Sequence, residues 1–202
     1  MPAKPKRILF LLGLACAPLV DSAYAAIDPA VNQVESLDSA LLKSMKAGSA
    51  LSVTDRYHKL APVIEQTFDL LAMTGFAVGP GWTSFSADQQ QATVAAFTRL
   101  TIASYAHNFR EFDGQRFDVE ANFATRGVDK IVQTHIISPH DTPVSLIYRM
   151  RESGGTWKII DIYYGAISQL TTRRSDFAGP IASGGVQGLI AHLNSLSDDL
   201  LK

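Results

Sequence analysis

The sequence predicts an α+β fold in which a layer of helices packs on a curved antiparallel sheet of about four strands. Up to Phe112, apolar residues recur every three or four positions, which is typical of amphipathic helices. After Asp113-Gly114 the period falls to two, which is typical of strands. A final helical pattern covers about residues 186–200. Helices that are segregated from one antiparallel sheet define the α+β class.

Composition limits both the size and the class of the protein. The 202 residues, 47% of them hydrophobic and 18% charged, are enough for one domain with a sizeable core. Eighteen basic and 19 acidic residues leave a formal net charge of −1. Proteins that bind nucleic acid usually carry a basic excess, so no nucleic-acid partner is expected. We expect a single domain over residues 26–202.

Residues 1–25 have the pattern of a cleaved signal peptide. Basic residues within positions 4–7 precede an apolar stretch over residues 8–17, and Ala23-Tyr24-Ala25 supplies the small-x-small cleavage pattern. The apolar stretch is shorter than the roughly 20 residues that a membrane span requires. An alternative is a lipoprotein signal that ends at Cys16. Cleavage after residue 25 removes the only cysteine, so the mature chain has no disulfide. These features predict export to the bacterial periplasm.

Three helices are expected between residues 29 and 112. The first two cover about residues 29–45 and 53–72, and a glycine- and proline-rich turn follows them. Ser86 and Gln89 are spaced as a capping box, which predicts the start of the longest helix, about residues 87–112. One face of that helix is rich in aromatic residues. It carries Val94, Phe97, Thr101, Tyr105 and Phe109.

Alternation of apolar residues predicts a strand meander between residues 115 and 164. The four expected strands are Phe117–Phe123, Ile131–Ile137, Val144–Met150 and Trp157–Tyr164. In the last strand, alternation places Ile160, Ile162 and Tyr164 on one face of the sheet. Ile159 and Tyr163 fall on the opposite face. Because both faces are apolar, the sheet is either covered on both sides or has one face that lines a cavity.

Asp161 is the one ionisable residue that interrupts this apolar strand. A carboxylate that is desolvated on a sheet can have a raised pKa and act as a general base. The alternative is a structural role, in which Asp161 is solvated or accepts hydrogen bonds. The sequence lacks the nucleophile elbow, the zinc-protease helix motif and the phosphate-binding loop. We therefore expect no metal and no cofactor.

A surplus of aromatic side chains indicates a ligand cavity. The residues concerned are Tyr105, Phe109, Phe112, Tyr148, Tyr163 and Tyr164. Together with many Leu and Ile residues, they exceed what packing of two layers requires. Three functions remain open on this ground. One is a carrier of an apolar ligand, and another is a small isomerase-like enzyme that acts on a hydrophobic ligand with Asp161 as its base. The third is a structural interaction module with a well-packed interior and no ligand.

Four short stretches, in order along the chain, carry a resemblance to a known family. They are Ser86-x-x-Gln89 with Ala96-Phe97 and Tyr105, Trp157-Lys158-x-x-Asp161 with Gly165-x-x-Ser168, Arg174-Ser175-Asp176-Phe177, and Gly185-x-x-Gly188-Leu189-Ile190-x-x-Leu193. From about Leu51 to Leu200 the chain is thereby similar to the MlaC family, also called the toluene-tolerance or ABC-transporter auxiliary-component family. The stretch Phe68–Trp82 most resembles the HpnM subgroup, which is associated with hopanoid biosynthesis. The chain departs from the family pattern at Tyr164, where Glu is usual, and at Arg173, where Tyr is usual.

The resemblance implies a carrier rather than an enzyme. Such a carrier holds a phospholipid or a hopanoid in an apolar pocket in the periplasm and makes transient contact with the membrane. It exchanges the lipid with a membrane-anchored substrate-binding component of an ABC transporter. The residues expected to line the lipid pocket are Phe68, Leu71, Phe97, Leu100, Tyr105, Phe109, Tyr148, Ile160, Ile162 and Tyr164.

Overall fold

The computed structural model describes residues 27–202, and the predicted signal peptide over residues 1–25 lies outside this range. The helices are α1 (Pro29–Lys46), α2 (Val53–Thr67), α3 (Leu70–Val78), α4 (Ala87–Asn108) and α5 (Gln169–Leu200). The strands are β1 (Arg116–Val119), β2 (Ala124–Arg126), β3 (Asp129–Ile137), β4 (Val144–Ser153), β5 (Thr156–Tyr164) and β6 (Ile167–Ser168). Short 3₁₀ helices cover Gly48–Ala50 and Gly79–Ser84. The α+β class predicted from the sequence is confirmed.

The described strands form one open antiparallel sheet in the order β1-β3-β4-β5-β6, and β2 also pairs with β3. The sheet therefore has six strands, and the expectation of about four is wrong. The first predicted strand is interrupted, because four residues between Val119 and Ala124 oppose only two on β3. The sixth strand, β6, folds back on β5 after Gly165, which has a φ of +59°.

A β-bulge in β5 changes which residues share a face. Asp161 pairs with Arg149, but the next pair joins Ile159 to Met150, so Ile160 has no cross-strand partner. Directly paired residues lie on the same face of a sheet. Ile159 is fully buried on the face that contacts the helices, which we call the inner face. The predicted placement of Ile159 and Ile160 is therefore wrong, because the bulge adds one residue to the strict alternation.

The start of α1 is attached to the sheet. Asp28 accepts a hydrogen bond from the Ala30 N–H at 2.9 Å, which caps the helix. Its second carboxylate oxygen lies 2.6 Å from Lys130 Nζ on β3. The same ammonium group lies over the rings of Trp157 and Phe123, at 4.2 and 4.5 Å from their centroids. These contacts fix α1 against the inner face, where it packs on β1, β3 and β5.

Two of the helices before the sheet differ from the prediction. The second predicted helix is divided into α2 and α3, because Phe68 and Asp69 leave the helical path to bond to β5. The Asp69 N–H donates to the Ile159 carbonyl at 2.9 Å, and the Asp69 side chain caps α3. The capping box of Ser86 and Gln89 is confirmed, but α4 ends at Asn108 rather than near residue 112.

The last helix begins much earlier than predicted, at Gln169 instead of residue 186. It is interrupted at Gly185, where φ is +60° and ψ is −149°. A Cβ atom at Gly188 would lie 2.7 Å from the Pro180 carbonyl oxygen, so the two arms of α5 approach too closely there for any side chain. The first arm brings Gln169, Leu170 and Arg173 beside the sheet.

Candidate functional site: an apolar cavity on the inner face

A cavity of about 410 Å³ lies between α4 and the inner face of the sheet. We call it the inner cavity, and it occupies the space between α4 and strands β3, β4 and β5. The helices that pack against α4 are α2, α3 and α5. The residues that line the inner cavity are Met73, Phe97, Leu100, Thr101, Ser104, Tyr105, Asn108, Phe109, Ile136, Val144, Leu146, Ile162, Tyr164, Gln169, Leu170 and Arg173. The volume falls within the roughly 300–1,000 Å³ of typical ligand pockets.

A row of four aromatic rings supports one wall of the inner cavity, and two of them, Tyr105 and Phe109, line it. Phe68 meets Tyr105 edge-on with centroids 5.6 Å apart, and Tyr105 stacks on Phe109 at 5.5 Å. Phe109 in turn lies 6.1 Å from Phe117 on β1. Such contacts hold large apolar rings in fixed orientations. The wall is therefore apolar and largely preformed.

Six of the ten residues expected to line a lipid pocket line this cavity. They are Phe97, Leu100, Tyr105, Phe109, Ile162 and Tyr164. Phe68 lies behind Tyr105, and Tyr148 is fully buried in the sheet beside Ile162. Leu71 is exposed on α3, and Ile160 lies on the other face because of the bulge. The structure therefore does not bring Leu71 or Ile160 to the inner cavity.

Sequence reasoning missed ten lining residues. They are Met73, Thr101, Ser104, Asn108, Ile136, Val144, Leu146, Gln169, Leu170 and Arg173. Thr101 was on the predicted aromatic face of α4, so its position was available from helical spacing. Leu146 could follow from pairing β4 with β5, since it lies opposite Tyr164. The three residues of α5 had no signal, because the prediction left the first arm of that helix as a loop.

The two positions at which the chain departs from the family pattern both line this cavity. Tyr164 is exposed at the end of β5, and Arg173 lies half-buried on the first arm of α5. Asn108 and Gln169 are also exposed. By contrast, Phe97 and Leu100 are only 3% exposed. The cavity therefore has a buried, largely apolar interior and a mouth that carries polar groups.

A buried polar cluster lies behind the aromatic wall. Asp38 on α1 is 3% exposed and accepts a hydrogen bond at 2.8 Å from the hydroxyl group of Thr134 on β3. Burial raises the pKa of Asp38 to about 7; the Thr134 hydrogen bond opposes this shift and the nearby Glu35 charge adds to it. Burial also raises the pKa of Tyr105 and of Tyr148, and the charge of Asp38 acts in the same direction.

This cluster is incompletely satisfied within the described residues. Asp38 Oδ1 and the Tyr148 hydroxyl group have no hydrogen-bond partner there. An ionised carboxylate with one donor is costly inside an apolar core. Asp38 is therefore held in its neutral form over a wider pH range than an exposed aspartate.

A second cavity, of about 450 Å³, lies on the opposite side of the sheet, and we call it the outer cavity. It is bordered by the charged residues Asp69, Arg149, Arg151, Glu152 and Asp161, together with Ala72, Phe76, Ser153, Ile160, Tyr163, Ser168, Leu170 and Thr171. Its arginines are already paired, because Arg149 and Arg151 both bind the carboxylate of Asp129 at 2.5–3.0 Å. Hydrogen bonds from Arg151 and then Arg149 lower the pKa of Asp129, against the effect of burial.

Asp161 borders the outer cavity and accepts three hydrogen bonds. Ser168 Oγ donates to Oδ2 at 2.7 Å, and the Ile162 and Leu170 N–H groups donate to Oδ1 at 2.8 and 3.3 Å. Ser168 in turn caps the N-terminus of α5 through the Thr171 N–H. These contacts join the end of β5 to the start of α5, which is the structural role foreseen as the alternative for Asp161.

Within residues 27–202, no group of three His, Cys, Asp or Glu side chains is arranged to hold a metal ion. No helix in the same range combines the length and hydropathy that crossing a bilayer requires.

Comparison with known proteins gives two findings. The sequence profile of the MlaC protein family matches residues 35–195, which is most of the chain. Among solved structures, the fold is similar to that of the phospholipid-binding protein from Ralstonia solanacearum, which was solved in complex with a phospholipid. The TM-score is 0.75 and the sequence identity is 25% over 87% of this chain and 100% of that one. On the strength of the profile match, this chain belongs to the MlaC protein family.

Proposed function

We propose that this protein is a periplasmic lipid carrier that holds the acyl chains of a phospholipid in the inner cavity. The observation that carries the proposal is the inner cavity itself, a space of about 410 Å³ with a largely apolar, aromatic interior and a polar mouth. The phospholipid complex of the Ralstonia solanacearum protein, which has a similar fold, supports the choice of ligand.

The physical need for such a carrier follows from the hydrophobic effect. Moving one CH₂ group from water to an apolar site is worth about 0.8 kcal/mol, so a sixteen-carbon chain faces a desorption penalty of about 13 kcal/mol. A preformed apolar cavity offsets this penalty without any chemical step. Binding of this kind needs few convergent polar groups, which agrees with a lining that contains one charged residue among sixteen.

We propose further that the carrier exchanges its lipid with a membrane-anchored component of an ABC transport system. This step is what the family resemblance implies, and export through the signal peptide of residues 1–25 would place the mature single domain in the same compartment. A hopanoid is the second cargo to consider, because the stretch Phe68–Trp82 resembles the hopanoid-associated subgroup.

The first experiment is native mass spectrometry of the mature protein purified from a bacterial periplasm, followed by extraction and identification of the lipid. We expect one phospholipid per protein. A co-purified hopanoid would replace the phospholipid as cargo. Protein that is bare, and that stays bare after incubation with phosphatidylglycerol vesicles, would contradict the carrier proposal.

A matched pair of variants tests the location of the pocket. Phe109→Asp places a charge in the wall of the inner cavity, where burial of an unpaired carboxylate opposes the binding of acyl chains. We expect at least a tenfold loss of bound lipid while the far-ultraviolet circular dichroism stays unchanged. Phe112→Asp is the control, because Phe112 lies three residues further on and does not line the cavity. Equal lipid content in both variants would contradict the assignment.

A further inference from the structure

Arg173 is the only charged side chain among the sixteen residues that line the inner cavity. It lies in the first turns of α5, and its side chain is 37% exposed. The remaining lining at the mouth consists of neutral polar groups, including the amides of Asn108 and Gln169. A single cation at the polar end of an apolar cavity matches an amphiphile with apolar tails and an anionic head.

The guanidinium group of Arg173 is available for a ligand. Its one ion pair in the described part of the chain is with Asp176, at the limiting distance of 4.0 Å, and it makes no side-chain hydrogen bond there. Three other arginines, Arg149, Arg151 and Arg174, contact protein groups instead. Arg149 and Arg151 hold Asp129 on the outer side of the sheet, and the guanidinium group of Arg174 packs against Gly79.

We propose that Arg173 binds the phosphate of a lipid headgroup at the mouth of the inner cavity. This inference rests on the proposed function as a lipid carrier. A guanidinium group presents paired N–H donors that match two phosphate oxygens, and charge-assisted hydrogen bonds of this kind are stronger than neutral ones. The contact makes the carrier selective for phosphate-bearing lipids over neutral lipids with the same tails.

The same chemistry fixes how the lipid lies in the site. With its phosphate at Arg173, the lipid would keep its headgroup at the exposed mouth of the cavity and extend its acyl chains toward the buried side chains of Phe97 and Leu100. A neutral polycyclic lipid lacks the anionic oxygens that form charge-assisted hydrogen bonds with a guanidinium group. The proposal therefore favours a phospholipid over an uncharged hopanoid as the cargo.

The test measures lipid uptake from vesicles that contain phosphatidylcholine with equal amounts of phosphatidylglycerol and diacylglycerol of identical acyl chains. Native mass spectrometry gives the ratio of bound phosphatidylglycerol to bound diacylglycerol for the mature protein and its variants. We expect Arg173→Gln to lower this ratio about tenfold relative to the wild type, while the total lipid bound changes less. Arg173→Lys keeps the charge but not the paired geometry, and we expect an intermediate ratio. Arg174→Gln is the control, since it removes an equal charge one residue away without touching the cavity.

The outcomes separate the two proposals. Equal ratios for the wild type and Arg173→Gln would overturn the role of Arg173 and leave the carrier function intact. An equal fall in Arg174→Gln would also overturn it, because net charge alone would then explain the effect. No uptake of either lipid by the wild type would contradict the carrier function itself. In a further arm, millimolar inorganic phosphate is added without changing the vesicles. Inorganic phosphate that binds the wild type but not Arg173→Gln, while the wild type shows no preference for phosphatidylglycerol with or without that phosphate, would overturn the lipid headgroup in favour of a free-phosphate site.

Discussion

The two faces of the sheet carry cavities of similar volume and opposite chemistry. The inner cavity, about 410 Å³, is lined by one charged residue, whereas the outer cavity, about 450 Å³, is bordered by five. Their arginines also differ, because Arg149 and Arg151 are bound to a buried acid while Arg173 faces open space. The comparison shows that two cavities of similar volume differ in whether their charged side chains already have protein partners.

The buried acid on each side of the sheet repeats this contrast. Asp38, behind the inner cavity, has a single hydroxyl donor, and burial raises its pKa to about 7. Asp129, on the outer side, has two arginine partners, and their hydrogen bonds lower its pKa. One carboxyl therefore opposes folding when it ionises, and the other supports folding when it ionises. The predictions below test this contrast.

The largest effect is expected for Asp38→Asn. The wild type must ionise Asp38 inside the protein as the pH rises from its unfolded pKa of 3.8 to its folded pKa of about 7, so stability falls across that interval. At about 1.36 kcal/mol per pKa unit, the variant gains roughly 4 kcal/mol relative to the wild type above pH 7 and about nothing near pH 4. Urea unfolding at pH 4 and pH 8 measures the difference.

The control for Asp38 is Glu65→Gln, which removes an exposed acid from the neighbouring helix α2. We expect a difference of less than about 0.5 kcal/mol at either pH. A variant Asp38→Asn that is less stable than the wild type at pH 8 would show that the carboxylate is satisfied, and the contrast between the two acids would fail.

Asp129→Asn is expected to destabilise the protein by about 2–3 kcal/mol at pH 7. The carboxylate is 1% exposed, and its removal leaves two arginines without their anion; their partial exposure keeps the loss below that of a fully buried pair. Because the folded pKa is lowered, this contribution is present above the unfolded pKa of 3.8 and is lost as the pH falls below it. Urea unfolding at pH 7 and pH 3 measures both points.

Asp118→Asn is the matched control, since Asp118 is an exposed strand acid 3.8 Å from Arg116. Surface pairs of this kind contribute between about 0 and 1 kcal/mol. Bound lipid should not change in either variant, because neither acid borders the inner cavity. Lipid loss in Asp129→Asn with the fold intact would mean that the outer face takes part in binding.

A smaller effect, about 1–2 kcal/mol, is expected for Asp161→Asn. The amide has one acceptor oxygen in place of two, so either the Ser168 hydroxyl group or the backbone N–H groups lose their partner. Ser168→Ala in a double-mutant cycle gives the energy of the shared contact by chemical denaturation. Lipid content is expected to stay at the wild-type level. Retention of lipid with loss of turnover on a bound ligand would instead revive an enzyme that uses Asp161 as its base.

The smallest effect is expected for Leu71→Ser. Leu71 is 60% exposed on α3, so the change in stability should stay within about 0.5 kcal/mol and bound lipid should not change. Met73→Ser, two residues on, is the contrast, because Met73 is buried and lines the inner cavity. We expect reduced lipid content there. Lipid loss in Leu71→Ser would indicate that α3 presents a different face to the ligand.

Periodicity predicted the class of fold and the aromatic face of α4, because both depend on local side-chain spacing. It could not predict the interruption of the second helix, since Phe68 and Asp69 leave the helix to bond to a strand that is distant in sequence. The first arm of α5 was hidden by Gly179, Pro180 and the Gly184-Gly185 pair, which are typical of loops. Tertiary contacts, rather than local propensity, decide each of these cases.

The residues that line the inner cavity also divide into those that local spacing predicts and those that only tertiary contacts place there. Phe97, Leu100, Tyr105 and Phe109 follow from the face of one helix. Arg173 comes from the unpredicted arm of α5, and Ile160 was assigned to the wrong face because a bulge leaves no mark in the hydrophobic pattern. The sequence departure at Arg173 was visible, but only the fold places it at the mouth of the cavity.

The bulge at Ile160 also governs how this strand tolerates insertions and deletions. The extra residue already lies outside the ladder, so deleting Ile160 would leave the pairs Asp161–Arg149 and Ile159–Met150 adjacent and every other side chain on its present face. Deleting Tyr163, between Ile162 and Tyr164, would instead move every side chain on one side of the deletion to the opposite face of the sheet. Length variation among relatives should therefore collect at this position of β5 and be rare elsewhere along it.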